Sequence, residues 1–387
     1  MTILYTPTGG LKEIRNRAQE FAAKSIAAKK DLAMSTEFPW DLWKALGATG
    51  LKGIGIQKEY EGMGLGYAGI SAVGKALAQH GYCLGLTLSW LIHEITARFF
   101  ISEHASPTQK QLYLPAMARG SITASIAISE PGVGGHPKHL KTSAERSSSG
   151  YVLNGEKTFL TNGPIADIFI VLAVSGLENR KKKYSAFIVP RDSVGLSLTD
   201  SMDFGFLRPC PHGGIVMHGC MVSEEGLMGT PGEAYSAMAL PFRVVEDALM
   251  MGPILGAQEA RFHEIRNTLK ERGPVIDEEF LFRLGGFSAI LSVLDMISIR
   301  AAELLDKGTG HGEINTLILA FRNLCAVLHK EISDITKLAD TTPSGIYMSL
   351  THDMDHVVRF AAKVNRIKQI KMGAGLMSSD GTILFDE

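Results

Sequence analysis

The chain has 387 residues, of which 45% are hydrophobic and 20% charged, with a formal net charge of −1. That composition is globular, with room for two or three domains, and it lacks the broad basic surface needed for a general grip on nucleic acid. No segment reads as a membrane span and the polar stretch from Met1 to Gly10 has no apolar signal core, so a soluble, cytoplasmic protein is expected.

The first region, 1–120, reads as helical. Leu11, Ile14, Ala18, Phe21 and Ala22 recur at helical spacing, and Trp40 to Leu46 follows Phe38-Pro39 as a second helix. A glycine-rich connector runs from Gly50 to Gly66. Further helices are predicted over Ala68–His80, Leu86–Ile101 and Thr108–Ala118, with Pro107 and Pro115 marking breaks or first turns. The second region, 121–232, has strand-like runs between turn residues and suggests a small β-sandwich or barrel. Tyr151 to Lys157 holds an Asn-Gly hairpin cue. Phe169–Val174 and Ser185–Pro190 are strand candidates, and Ile215–His218 with Cys220–Val222 reads as a further pair. The basic run Arg180–Lys183 is either a local basic patch or a solvated hairpin tip. The third region, 233–387, returns to helices at Val244–Glu271, Glu278–Leu305, Glu313–Asp340 and Met348–Met372, which suggests a four-helix bundle.

The four cysteines form no CxxC pair, so neither a zinc knuckle nor a disulfide framework is indicated. His352 and His356 stand one helical turn apart and could hold a metal with Asp353 or Asp355, or could be exposed helix polarity.

Two segments carry candidate chemistry. Ala124 to His136 is a strand running into the glycine-rich turn Gly132-Val133-Gly134-Gly135, where backbone N–H groups could approach a phosphate or the polar edge of a ring. Asn154 to Gly163 puts Phe159 and Thr161 on one face of a strand, an aromatic and a hydroxyl suited to a planar redox ring. Taken singly, each also reads as an ordinary turn and an ordinary core edge.

Together, Ser129-Glu130-Pro131 with its glycine turn, Asn154-Gly155-Glu156-Lys157-Thr158-Phe159-Leu160-Thr161-Asn162-Gly163, Glu59-Tyr60-Glu61-Gly62, Tyr113-Leu114-Pro115 and Phe187-Ile188-Val189-Pro190 resemble the acyl-CoA dehydrogenase family. The resemblance implies a helical, then β, then helical fold, bound FAD, and a homo-oligomer built on the C-terminal bundle, usually a tetramer. It implies that Ile126, Ile128 and Ser129 meet the flavin ring from one strand and Phe159 and Thr161 from the other. The pyrophosphate-contacting Ser of the family is Gly135 here, and His136 replaces its Asp. The family removes an α-proton from an acyl thioester, on CoA or a carrier protein, while a hydride passes to flavin. Electrons then pass to an electron-transfer flavoprotein or similar acceptor.

The base this implies is a carboxylate in an apolar site. Most members carry it after a Gln-Ile-x-Gly-Gly-x-Gly segment, here Gln369-Ile370-Lys371-Met372-Gly373-Ala374-Gly375, and the usual base and final helices beyond it are absent. Some members place the Glu on the first bundle helix, which is Glu246 here, with Asp247 replacing the family Arg. The adenine clamp is partly altered: Arg272 stands near one expected position, and Gln369, Gly373 and Gly375 retain the other part. Two further readings stay open, a flavin-dependent oxygenase or oxidase on the same fold, and a non-catalytic acyl-CoA-binding subunit.

Overall fold

The computed structural model describes residues 9–272, 277–338, 343–360 and 362–377. Its contacts divide the chain into two compact units. One takes Ser35–Ile70 and Gly85–Glu246, the other Met1–Met34, Ser71–Leu84 and Asp247–Glu387.

The first unit carries an eight-stranded sheet ordered β6-β7-β3-β2-β4-β5-β8, with β1 alongside β4. The strands are β1 (Ala124–Ala127), β2 (Ser143–Ser147), β3 (Gly150–Thr161), β4 (Ile168–Glu178), β5 (Lys181–Pro190), β6 (Leu196–Leu198), β7 (His212–Val222) and β8 (Leu227–Met228). β4 pairs antiparallel with β5 and parallel with β1. Along β4 and β5 alternate residues Phe169, Val171, Phe187 and Val189 enter one hydrophobic core with Leu153, Ile215 and Met217. Removing one of those phenylalanine rings would cost about 3–5 kcal/mol.

Two sequence cues resolve differently from expectation. Asn154-Gly155 turns no hairpin. It forms a bulge inside β3, where the register to β7 shifts and Gly155 adopts φ 144°. The Asn154 side chain holds that bulge by accepting from Gly219 N at 2.8 Å, and any Cβ at Gly155 would meet Thr142 Oγ1 at 2.6 Å. The chain reverses instead between Ser147 and Gly150. Likewise Ile215–His218 and Cys220–Val222 are one strand, β7, with Gly219 at φ 59° within it. The basic run begins at a hairpin tip, Asn179 and Arg180 both having positive φ, and continues into β5.

Helices of the same unit are α2 (Trp40–Ala48), the short α5 (Ser102–His104) and α6 (Pro107–Ala118). A π-helical turn, Thr96–Ile101, precedes α5. Ser106 caps α6 in a reciprocal capping box with Gln109, whose amide also donates to Glu225 O and Leu227 O, tying the helix to β8. Pro107 opens α6, while Pro115 lies inside it.

The second unit contains α1 (Gly9–Phe21) and the long helices α8 (Glu278–Lys307) and α9 (His311–Leu338), which pack on each other, with α10 (Gly345–Phe360) and α11 (Ala362–Met377) against α9. The helix expected over 348–372 is helical at every described position, in the two stretches α10 and α11 on either side of residue 361. Three helices change unit along their length or at their end: α3 (Gly66–Gly81), α4 (Leu84–Ile95) and α7 (Leu240–Arg272). Within the second unit α7 lies directly on α3, since a Cβ at Gly252 would meet Ser71 O at 2.4 Å and one at Gly256 would meet Lys75 O at 2.3 Å. Lys75 joins this contact by pairing with Asp295 at 2.7 Å and Glu259 at 3.3 Å.

Arg261 is fully buried in this unit and bonds Gln258, Thr351, Tyr347 and His329, and His329 in turn bonds Asp355 at 2.9 Å. All four cysteines are buried and none is in a disulfide. One helix among the described residues, α8, is long and apolar enough by length and composition to cross a membrane.

Candidate functional site

The two sequence segments meet side by side. Ser125 Oγ donates to Thr161 O at 2.7 Å, Lys157 Nζ to Ile128 O at 3.0 Å, and Thr158 N to Ser129 O at 2.9 Å. β1 and its continuation thus run against the end of β3, bringing Ile126, Ile128 and Ser129 beside Phe159 and Thr161. All except Phe159 are partly buried.

Lys157 locks this junction from below the surface. Its ammonium is fully buried and 3.0 Å from Glu130 Oε1. Glu130 also accepts from Lys141 N at 2.6 Å and Thr142 N at 2.9 Å. Burial opposes ionisation of Glu130, but the Lys157 ammonium and these N–H donors outweigh it and hold the carboxyl below its ordinary value. Burial lowers Lys157 to about 8, against the pull of Glu130, so both groups are charged at neutral pH. Neither residue was singled out from sequence, although both lie in the quoted motifs.

Phe159 sits in a second bulge of β3, between Lys157 and Leu160, at φ 59°. A bulky residue in the left-handed region is strained by roughly 1–2 kcal/mol. Its ring is nevertheless 55% exposed, flanked by buried Leu160, and 6.1 Å from the ring of Phe204. Phe204 packs edge-on against His212 at 5.0 Å. Burial lowers the His212 imidazole, whose Nδ1 lies 3.1 Å from Cys210 O. A strained backbone that presents an aromatic face to solvent fits a surface made for a planar ligand. The residues present therefore fit a flavin ring.

The glycine turn leaves β1 at the same end. Glu130 and Gly134 exchange backbone hydrogen bonds at 3.0 Å, and Gly132 and Gly134 both need positive φ (75° and 59°). A cleft of about 290 Å³ opens beside it, lined by Glu130, Val133, Lys141, Thr142, Gly155 and others. His136 and His139 stack at 4.9 Å next to the turn.

Arg243, in the first turn of α7, reaches Gly135 O with Nη2 at 2.9 Å. Glu246 follows one turn later and is half-buried on the same side of the helix, as i, i+3 spacing requires. Asp247 has separate partners in the second unit, Arg322 at 2.5 Å and Lys368 at 3.9 Å.

The remaining candidates lie in the second unit. Gln369 is exposed on α11 and donates to Asn323 at 2.9 Å, Gly373 is exposed and Gly375 buried on that helix, and all three belong to the second unit. Arg272 ends α7, with its side chain outside the described residues. The rings of His352 and His356 lie 4.8 Å apart on α10, tilted by 58°, and no group of three or more potential metal ligands occurs among the described residues.

Residues 8–121 match the model of the acyl-CoA dehydrogenase N-terminal domain and 125–220 that of the middle domain. The L-prolyl-[peptidyl-carrier protein] dehydrogenase of Pseudomonas fluorescens is 32% identical over 284 residues, 70% of this chain and 73% of its own length. The mitochondrial isovaleryl-CoA dehydrogenase of Solanum tuberosum is 29% identical over 286 residues, 72% of this chain and 66% of its own. The butyryl-CoA dehydrogenase structure from Megasphaera elsdenii superposes with a TM-score of 0.86 at 17% identity, covering 97% of this chain and 100% of that one, which speaks to the fold alone. A structure described as PigA with FAD and proline superposes with a TM-score of 0.83 at 20% identity, covering 97% of this chain and 100% of that one.

Proposed function

The chain belongs to the acyl-CoA dehydrogenase family, and on that premise we propose that it binds FAD and dehydrogenates the α,β bond of an acyl thioester, with Glu246 as the base. FAD, when bound, supplies the hydride acceptor. Phe159 offers a ring face for packing, and Thr161, Ser129 and the backbone of β1 offer polar contacts at its edge. The observation that carries the reading is the reach of Arg243 to Gly135, one turn before Glu246 on the same helix face. In this reading the half-buried Glu246 carboxylate takes the α-proton. Relatives named for CoA and for carrier-protein substrates support an acyl thioester as the substrate class. An electron-transfer flavoprotein or similar carrier takes the electrons in this reading.

Self-association through the bundle belongs to the same proposal. α8 exposes Leu281 (56%) and Phe282 (77%), and α11 exposes Ile370 (60%) and Leu376 (73%). Apolar faces of this kind mark association surfaces.

The test is the visible spectrum of the purified protein, followed without oxygen as acyl-CoAs of different chain type are added. Flavin bands that bleach with one acyl group in the wild type, and that bleach about 10²-fold or more slowly in Glu246→Gln, support the assignment. A colourless protein that takes up no FAD overturns it.

A further inference from the structure

We propose that His329 is a proton-operated latch for α10: the neutral ring bridges Arg261 and Asp355, and a second ring proton turns it from the acceptor of Arg261 into a donor facing it, which releases α10 from α7. The geometry fixes where the single proton of the neutral ring sits. A guanidinium carries only donors, so His329 Nδ1, 3.0 Å from Arg261 Nη1, is the acceptor. The ring proton is therefore on Nε2, which donates to Asp355 Oδ1 at 2.9 Å. A proton added to this ring has one place to go, Nδ1. There it meets another N–H and a second positive charge.

Arg261 has no spare partner to fall back on. It is fully buried, and its partners are Gln258 Oε1 at 2.7 Å, Thr351 Oγ1 at 3.0 Å, Tyr347 OH at 3.3 Å and the His329 ring, all uncharged. Asp355 answers its charge only through the imidazole. Losing one member of a buried polar network is costly, because the groups left behind stay desolvated. Tyr347, Thr351 and Asp355 are spaced four apart and form one stripe of α10. The latch therefore acts on that helix in particular. Leu350 and Met354 are fully buried on α10, and Ser344 ties its start to α7 by donating to Glu264 at 2.7 Å.

The charged groups facing His329 are Arg261 from α7 and Asp355 and Arg359 from α10. On α9 itself Cys325, one turn earlier, stays protonated, since burial pushes its thiol up to about 11. From α8, Arg283 reaches α9 at Glu331 and pairs there and with Glu279. Burial, and then the Arg261 charge, hold the imidazole below its ordinary 6.5 against the opposing pull of Asp355. The latch is thus fully closed above pH 6.5 and works open as pH falls below it. Opening takes up one proton, so the open fraction grows by up to about tenfold per pH unit until the folded value is reached. None of this depends on the proposed dehydrogenase.

Hydrogen exchange of the full chain, read by mass spectrometry and corrected for intrinsic rates, tests the latch in wild type and His329→Gln. In the wild type, α10 amides are expected to lose about tenfold or more of their protection between about pH 7.5 and about pH 5, while those of β4 and β5 keep theirs. His329→Gln can still accept from Arg261 and donate to Asp355 but does not titrate, so its α10 stays protected throughout. A second measurement needs only the wild type: nitrogen chemical shifts of labelled histidine should put the neutral-pH proton of His329 on Nε2, and the ring should titrate over the range in which α10 opens. A ring protonated on Nδ1 at neutral pH, an α10 whose protection ignores pH, or an equal loss in His329→Gln overturns the proposal.

Discussion

Lys157→Met tests whether the junction of the two site segments is held by its buried ion pair. The ammonium is fully buried, bonded to Glu130 Oε1 and Ile128 O, both at 3.0 Å. At that separation and an effective dielectric near 20, the attraction lost is about 5 kcal/mol. The variant leaves the Glu130 carboxylate buried, with Lys141 N and Thr142 N as its remaining donors. Those bonds offset part of the loss, and the expected destabilisation is about 3–5 kcal/mol. Urea unfolding followed by tryptophan fluorescence measures it cleanly, because Trp40, Trp43 and Trp90 all lie in the sheet-bearing unit. Adding Glu130→Gln to Lys157→Met should recover a large part of the loss, since no unpaired charge stays buried. The pH dependence has a definite sign. A carboxyl held below its unfolded value stabilises the protein above that value, and the stability falls away as pH drops through the folded one. The wild type should therefore lose stability below about pH 4.5 in a way that Glu130→Gln does not. A loss under about 1 kcal/mol in Lys157→Met would refute the reasoning.

Other expectations follow from the same structure. Burial raises Glu94 to about 8 despite bonds from Gly55 N and Ile54 N, so its contribution is complete below pH 4.5 and is lost as pH rises toward 8; Glu94→Gln should melt higher than wild type at pH 8 and match it near pH 5. Phe159→Gly removes a left-handed strain and an exposed ring together, so apoprotein stability should stay level or rise by up to about 1 kcal/mol while FAD affinity drops about tenfold or more; calorimetry and flavin titration read the two separately. Phe282→Glu on α8 should shift the sedimentation coefficient toward the monomer with little change in far-ultraviolet dichroism. Gly252→Ala should destabilise the bundle-bearing unit by about 1–3 kcal/mol, because the added methyl would meet Ser71 O at 2.4 Å.

Much of the fold is legible because long amphipathic helices and buried apolar strands carry strong periodic signals. Ala68–His80 and Thr108–Ala118 fall within a residue or two of α3 and α6, and the runs at 169–174 and 185–190 are the cores of β4 and β5. The failures share a cause: glycine and Asn-Gly report a backbone torsion, not the structure that uses it. Gly155 and Gly219 read as breaks, yet both sit inside strands because tertiary neighbours accept the distortion. The site was half visible. Its strand residues belong to motifs, whereas Arg243 is an ordinary basic residue on a helix, given meaning only by a contact 108 positions away. Phe204 was missed likewise, although Asp203-Phe204-Gly205-Phe206 is an aromatic-glycine turn that periodicity does not score.

The interleaving of the two units bears on how the chain is made. Ile14, Ala18 and Phe21 of α1 are buried in a unit whose remaining parts begin at Ser71 and, for the most part, at Asp247. At a synthesis rate of about 5–20 residues per second, the apolar stripe of α1 waits roughly 10–70 s for the bundle helices to emerge. The sheet-bearing unit, by contrast, has all its strands as soon as residue 228 is out and closes at Glu246. A nascent chain arrested near residue 260 should thus hold a folded sheet and an unburied N-terminal helix, a state for which a holdase chaperone has a ready target.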